Sequence, residues 1–132
     1  MPISEYAIST KNEGMYDITH NVSAAVKESG VTDGVAMVFT PHTTSAITIN
    51  ENCDPAVVHD LLLGLDAAFP DSPRFRHGEG NSSAHLKASC VGASEQIIVA
   101  DGRLLLGTWQ GIYFCEFDGP RNRRYYVKIM QG

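Results

Sequence analysis

The chain has 132 residues, enough for one domain with a real hydrophobic core and no need of covalent staples. Apolar residues make up 43% and charged residues 19%, as in ordinary globular proteins. A formal net charge of −5 and a pI near 5.4 argue against a nucleic-acid-binding surface. They leave room for a local basic pocket, since Arg121, Arg123, Arg124 and Lys128 cluster near the C-terminus.

In chain order, 3–10 alternate as a half-exposed strand, and Asn12-Glu13-Gly14 turns the chain. Residues 16–30 read as a helix with Asp17 as N-cap, Gly30 as stop, and Ile18, Val22, Ala25 and Val26 as its buried stripe. The apolar run 35–40 predicts a strand covered on both faces, ended by Pro41, and 45–50 starts another. Asp54-Pro55 opens the clearest helix, with a capping carboxylate and a proline at the first helical position. Val57, Val58, Leu61, Leu65 and Ala68 recur at helical spacing. Leu62 and Leu63 widen that face enough to meet a second subunit.

Pro70 to Pro73 close the helix and open a long polar loop. Everything after it reads as strands: 84–91, 95–100, 103–107, 111–117 and 124–130, punctuated by Gly92, Asp101-Gly102 and Asp118-Gly119-Pro120. The expectation is a single α+β domain over 1–132, mainly antiparallel strands in a two-layer or sandwich-like arrangement with two helices.

The three cysteines, Cys53, Cys90 and Cys115, are widely spaced and odd in number, which favours reduced thiols and a cytoplasmic location. The N-terminus lacks a basic region followed by an apolar one, so no signal peptide is expected. No apolar run is long enough to cross a bilayer as a helix, so no membrane partner is expected either.

Three polar clusters interrupt the apolar pattern. His42 ends a buried strand, and Glu51-Asn52-Cys53-Asp54 precede a helix. The stretch RFRHGEGNSSAHLKAS (74–89) carries His77, Glu79, Asn81, Ser82, His85 and Lys87. Gly107 and Gly111 flank Thr108-Trp109-Gln110, and Trp109 fits either a core or interface filler or a ligand wall. Imidazole is the commonest ligand for divalent transition metals, and catalytic centres typically use three protein ligands with one open position. His42, His77 and His85 supply such a set if the loop folds back over the strand end, with Glu79 as base or orienting group. Taken singly, each histidine is more often a surface or hydrogen-bonded residue, and no H-E-x-x-H or C-x-x-C signature is present. His59 defaults to exposure on its helix, although His59-Asp60 lies close to the Glu51–Asp54 run. Cys53, at a helix start, is read as a nucleophile or a small buried residue. The Asn81-Ser82 turn with Lys87 is read as a phosphate contact or a flexible loop tip.

HTTSAITINENCDPAVVHD (42–60), FRHGEGNSSAHLKAS (75–89) and GRLLLGTWQGIYFCEFDGPR (102–121) closely resemble the YjbQ-like family, also known as uncharacterised protein family 0047. Its members are commonly labelled secondary thiamine-phosphate synthases. The resemblance implies a compact α+β fold and a homotrimer with pockets near subunit boundaries. It places His42, His77 and His85 in the functional pocket. Glu51, Asn52, Asp54, His59, Asp60, Glu79, Lys87 and Gln110 match other motif positions. The labelled reaction joins a pyrimidine methyl diphosphate to a thiazole phosphate and expels pyrophosphate. Catalytic roles then fall to Glu79, Glu51, Asp60, His59 and Lys87. Substrate contacts fall to Asn52, Asn81, Ser82, Lys87, Thr108, Trp109 and Gln110.

Three imidazoles suit a zinc-like divalent metal, whereas Mg²⁺, the usual partner of a departing pyrophosphate, prefers oxygen ligands. The alternatives are a metal-assisted hydrolase or lyase acting on another small phosphorylated metabolite, and a non-catalytic module that binds a small anion or metal.

Overall fold

The computed structural model describes residues 2–132, so Met1 of the amino-terminal stretch lies outside it. Among the described residues the elements are β1 (Ile3–Ser9), β2 (Gly14–Asp17), α1 (Thr19–Ser29), β3 (Asp33–Phe39), β4 (Ser45–Glu51) and α2 (Pro55–Ala68). They continue with α3 (Ser82–Val91), β5 (Ser94–Ala100), β6 (Arg103–Leu104), β7 (Gln110–Glu116) and β8 (Asn122–Gln131). A five-stranded sheet runs β1-β8-β3-β5-β6 and a three-stranded sheet β2-β7-β4. All pairings are antiparallel.

The two sheets face each other across the main core, and α1 closes it. Ala36, Val38, Ile97, Val99, Tyr125, Val127 and Ile129 of the larger sheet meet Ile47, Ile112 and Phe114 of the smaller, with Val22, Ala25 and Val26 of α1 between them. The back of the smaller sheet carries a second core, in which Ala46, Tyr113 and Cys115 pack on Ala84 and Ala88 of α3 and on Val58 and Leu65 of α2. Strand β7 is therefore covered on both faces, which explains its unbroken apolar run. Burial pushes the Cys115 thiol up to about 12, so it is an inert core residue.

Three elements differ from the sequence expectation. Strand β3, expected to be covered on both faces, alternates buried and partly exposed residues, with Phe39 41% exposed. The segment read as a strand at 84–91 is helix α3. Its buried residues Ala84, Lys87 and Ala88 sit at i, i+3 and i+4, a helical stripe that short apolar content disguised. The first helix starts at Thr19, after strand β2. Asp17 is the last residue of that strand, and its carboxylate accepts from the Thr19 N–H at 2.9 Å and the Thr19 hydroxyl at 2.6 Å. Ile18 stands at the cap position instead. The α2 start matches its sequence signal: Asp54 accepts from the Ala56 N–H, with Pro55 in the first turn. No residue of α2 is fully buried, and Leu63 is 62% exposed.

Candidate active site

Where β3 ends, Pro41 to Thr44 cross between the two sheets and put His42 beside the start of β8. The β3–β8 ladder stops at Phe39 opposite Tyr126, and two residues further its register would set residue 41 opposite Arg124. The chain turns away there, and the His42 ring takes the vacated place: the Arg124 N–H donates to His42 Nε2 at 3.0 Å. Burial, together with the Arg123 and Arg124 cations, lowers the pKa of this imidazole, and Glu116 opposes them less strongly. His42 is therefore neutral at neutral pH.

A cavity of about 450 Å³ opens in front of it, lined by His42, Thr44, His77, Glu79, Asn81, His85, Arg121 and Arg123, among others. His85 comes from the first turn of α3 and His77 from the loop before it. Their rings meet edge to face at 5.2 Å between centroids. Asn81 stands at the head of α3 and donates an Nδ2–H to Asp118 Oδ2 at 2.7 Å. Its Oδ1 is buried and without a hydrogen-bond partner. Arg121 clamps the same aspartate, through Nη2 to Oδ2 and Nε to the backbone oxygen, both at 2.8 Å. Burial raises the Asp118 pKa, but Asn81 and Arg121 outweigh it and hold the carboxyl ionised below its ordinary range.

The rear wall is a closed polar network. Arg123 grips Glu116 with Nε at 2.8 Å and Nη2 at 2.5 Å, and reaches the Thr44 hydroxyl at 2.7 Å. Glu116 also accepts from the Thr10 hydroxyl at 2.7 Å and the Asp118 N–H at 3.0 Å. A larger groove, about 560 Å³, lies between α1 and the β5–β6 turn, but it holds Lys27, Asp101 and Arg103 without a histidine or a paired carboxylate. The chemistry is concentrated at the histidine cavity.

The predicted site residues do not all meet. His42, His77, Glu79, Asn81 and His85 share the cavity. Ser82 is the first residue of α3, next to it. Lys87 faces the interior behind: its ammonium bonds Glu13 at 2.6 Å and also Asp66, beside the neighbouring cavity that Asn81 and Asp118 line. Glu51, Asn52, Thr108, Trp109 and Gln110 lie at the far end of β4 from His42, across seven residues of strand, or roughly 20 Å at the ~3.3 Å rise of a β-residue.

Several hydrogen bonds tie that far cluster together. Asn52 donates its N–H to the Trp109 carbonyl at 2.9 Å and its Nδ2–H to Asp17 at 3.2 Å. Gln110 Oε1 accepts from the Gly107 N–H at 2.8 Å, and the Glu51 carboxylate accepts from the Asp54 N–H at 3.3 Å. Trp109 stays 59% exposed on this scaffold. His59 and Asp60 pair at 3.0 Å on the open face of α2. Cys53 is exposed.

The sequence left Thr44, Glu116, Asp118, Arg121 and Arg123 out of the candidate list. The one available signal was the basic cluster at 121–124, whose partners are supplied by strand β7 and the following turn. Among the described residues, no three His, Cys, Asp or Glu side chains converge into a set able to hold a metal ion.

Comparison with known proteins bears on the same motifs. The model of the family described as UPF0047 protein YjbQ-like matches residues 4–132. The chain belongs to this family. UPF0047 protein YugU of Bacillus subtilis is 55% identical over 123 residues, covering 92% of this chain and 93% of the relative. A UPF0047 protein of Methanocaldococcus jannaschii is 54% identical over 127 residues, covering 96% and 92%. Among solved structures, an uncharacterized conserved protein of the YjbQ/UPF0047 family from Clostridium acetobutylicum superposes with a TM-score of 0.94 at 58% identity, covering 96% of this chain and 99% of its own. A YbjQ-like protein of unknown function from Sulfolobus solfataricus also reaches 0.94, at 32% identity, covering 99% and 97%. UPF0047 members thus share the α+β fold with its two antiparallel sheets.

Proposed function

We propose that the histidine cavity is the active site of an enzyme acting on a phosphorylated small molecule. The transfer that its YjbQ-like motifs imply is thiamine-phosphate synthesis. The observation that carries this reading is the lining itself: three imidazoles, the Glu79 carboxylate and the Arg121 guanidinium face one solvent-open space. In the coupling, the thiazole nitrogen attacks the methylene carbon of the pyrimidine diphosphate. The carbon–oxygen bond breaks, and pyrophosphate leaves with the electron pair. Negative charge grows on the leaving oxygens, so Arg121 is the group to meet them. Glu79 has no hydrogen-bond partner among the described residues and is suited to orient the pyrimidine amino group.

The donor set does not fit a three-histidine metal centre. A metal-bound histidine normally donates its other ring N–H outward. His42 does the reverse, accepting a backbone N–H at Nε2. His42 is therefore poorly placed to ligate a zinc-like ion.

The exposed outer face of the larger sheet supports assembly with copies of the same chain, a homotrimer by resemblance. Ile3 and Ile98 are each 60% exposed there, and Ile3, Met37, Phe39 and Tyr126 line one shallow apolar groove. Exposed free thiols at Cys53 and Cys90 fit a reducing, cytoplasmic setting. Among the described residues no helix is long and apolar enough to cross a membrane.

The test is turnover. Purified protein is given the pyrimidine diphosphate with the thiazole phosphate, and separately a panel of phosphate esters, while pyrophosphate and phosphate release are followed. Coupled product lost in Arg121→Ala supports the synthase. Ester hydrolysis without coupling replaces it with a phosphatase, and anion binding with no turnover of any compound replaces it with a binding module. Sedimentation of the same protein reads its assembly state.

A further inference from the structure

The hydrogen bond between the Arg124 amide and His42 has a chemical direction. A backbone N–H only donates, so Nε2 is the unprotonated nitrogen of the ring, and a neutral imidazole then carries its proton on Nδ1. Turning the ring by 180° would press a ring C–H against the amide N–H, so the contact also sets the ring's orientation. Nδ1 has no hydrogen-bond partner among the described residues. It is also absent from the buried polar atoms that lack one, so it is reachable by solvent, on a residue that lines the cavity.

We infer that His42 is a fixed N–H donor to an anionic oxygen of the substrate, and neither a general base nor a metal ligand. This rests on the reading that the cavity takes a phosphorylated molecule. The ring's one free lone pair, on Nε2, is engaged by Arg124, and Nδ1 holds the only ring proton. Giving a lone pair to a metal would require either the loss of the Arg124 bond or an imidazolate. Burial and the nearby Arg123 and Arg124 disfavour a charged ring, Glu116 opposes them less strongly while held by Arg123, and His77, Glu79 and Arg121 line the same cavity. His42 and Arg121 would then grip one phosphate or diphosphate from two sides, one with a neutral donor and one with a charge.

Two substitutions separate the ring's two nitrogens. Asn at 42 places an amide N–H near the Nδ1 position and loses the acceptor for Arg124. Gln at 42 reaches Arg124 with its carbonyl and removes the cavity donor. The experiment is ¹⁵N NMR of the imidazoles in the full chain, titrated with inorganic phosphate, then pyrophosphate, then zinc, with affinities measured for both variants. The expected result is a single Nδ1-protonated tautomer of His42 whose Nδ1–H signal moves on pyrophosphate addition and does not move with zinc. His42→Gln should weaken pyrophosphate binding by about tenfold or more, the scale of one hydrogen bond to a charged group, and His42→Asn clearly less.

An Nε2-protonated ring, zinc-dependent shifts at His42, or equal losses in both variants would each overturn the inference. Pyrophosphate that binds while His42 stays unmoved removes the inference and leaves the cavity reading standing. Binding that moves His42 without any turnover does the opposite to the synthase. Absence of anion binding overturns both.

Discussion

Glu116 and Arg123 pair side chain to side chain behind the histidine cavity, seven residues apart in sequence and joined through the turn that contains Asp118 and Arg121. Glu116 is fully buried and the Arg123 side chain is 5% exposed. An ion pair this dry gains little over an apolar pair, yet breaking one side of it strands the other charge. Its evident service is to hold β7, β8 and the Thr44 hydroxyl together directly behind His42.

Removing one partner should therefore cost far more than removing both. Glu116→Ala is expected to lose about 3–5 kcal/mol of unfolding free energy, because Arg123 stays buried without its carboxylate. Glu116→Leu with Arg123→Met should recover much of that loss. Urea denaturation of the single and double variants measures the difference. Equal losses would mean that the pair is not desolvated.

The same carboxylate predicts how stability responds to acid. Burial alone would raise the Glu116 pKa. The bonds from Arg123, Thr10 and the Asp118 N–H outweigh burial and lower it. A carboxyl depressed in the folded state stabilises fully above its unfolded value, about 4.3 for Glu, and that contribution fades as pH falls through the folded value. Wild-type stability should thus drop more steeply below about pH 4.3 than that of Glu116→Gln, and the two curves should approach each other in acid. Urea midpoints across the acid range test this.

Lys87 is held by carboxylates outside the histidine cavity. Its ammonium is buried between Glu13 of the β1–β2 turn and Asp66 of α2, with the Phe117 ring centroid 6.0 Å away. Desolvation lowers its pKa, but Asp66 and Glu13 overcome this and raise it, so its stabilisation holds below the unfolded value and is lost at higher pH. Lys87→Met keeps the packing and loses the bridge. Because Asp66 is more than half exposed and can rehydrate, the expected cost is about 1–2 kcal/mol. Pyrophosphate affinity measured by calorimetry should stay within about twofold of wild type, a limit well inside the loss of one charged hydrogen bond.

At the far end of β4, Gly111 is required by contact. A Cβ there would lie 2.5 Å from Asn52 Nδ2 and 2.8 Å from Asn52 Cβ. Gly111→Ala should displace Asn52 from Asp17 and Trp109 and cost about 1–3 kcal/mol, the usual range for overpacking. Gly107→Ala makes a milder approach, 3.4 Å to the end of the Gln110 side chain, and should melt near wild type. Thermal unfolding of both ranks the two glycines of the Thr108-Trp109-Gln110 stretch.

Local chemistry decided the parts of this molecule that were legible in its sequence. Asp54 and Pro55 start α2 because a capping carboxylate and a residue lacking an N–H suit the first turn wherever they occur. The apolar run of β3 and the alternation of β1 mark strands for equally local reasons. Segment 82–91 escaped because its helical stripe is built from two alanines and a lysine, which look unremarkable until Lys87 finds Glu13 and Asp66. The histidines, Glu79 and Asn81 could be gathered by motif, since a motif is itself sequence.

Three features were settled only when distant segments met: that His42 accepts from Arg124, that Arg123 lies buried against Glu116, and that the Trp109 cluster sits a strand's length from the cavity. Residue type says that an imidazole can donate, accept or ligate. The role it takes depends on the neighbour facing each nitrogen, and here that neighbour lies 82 residues away.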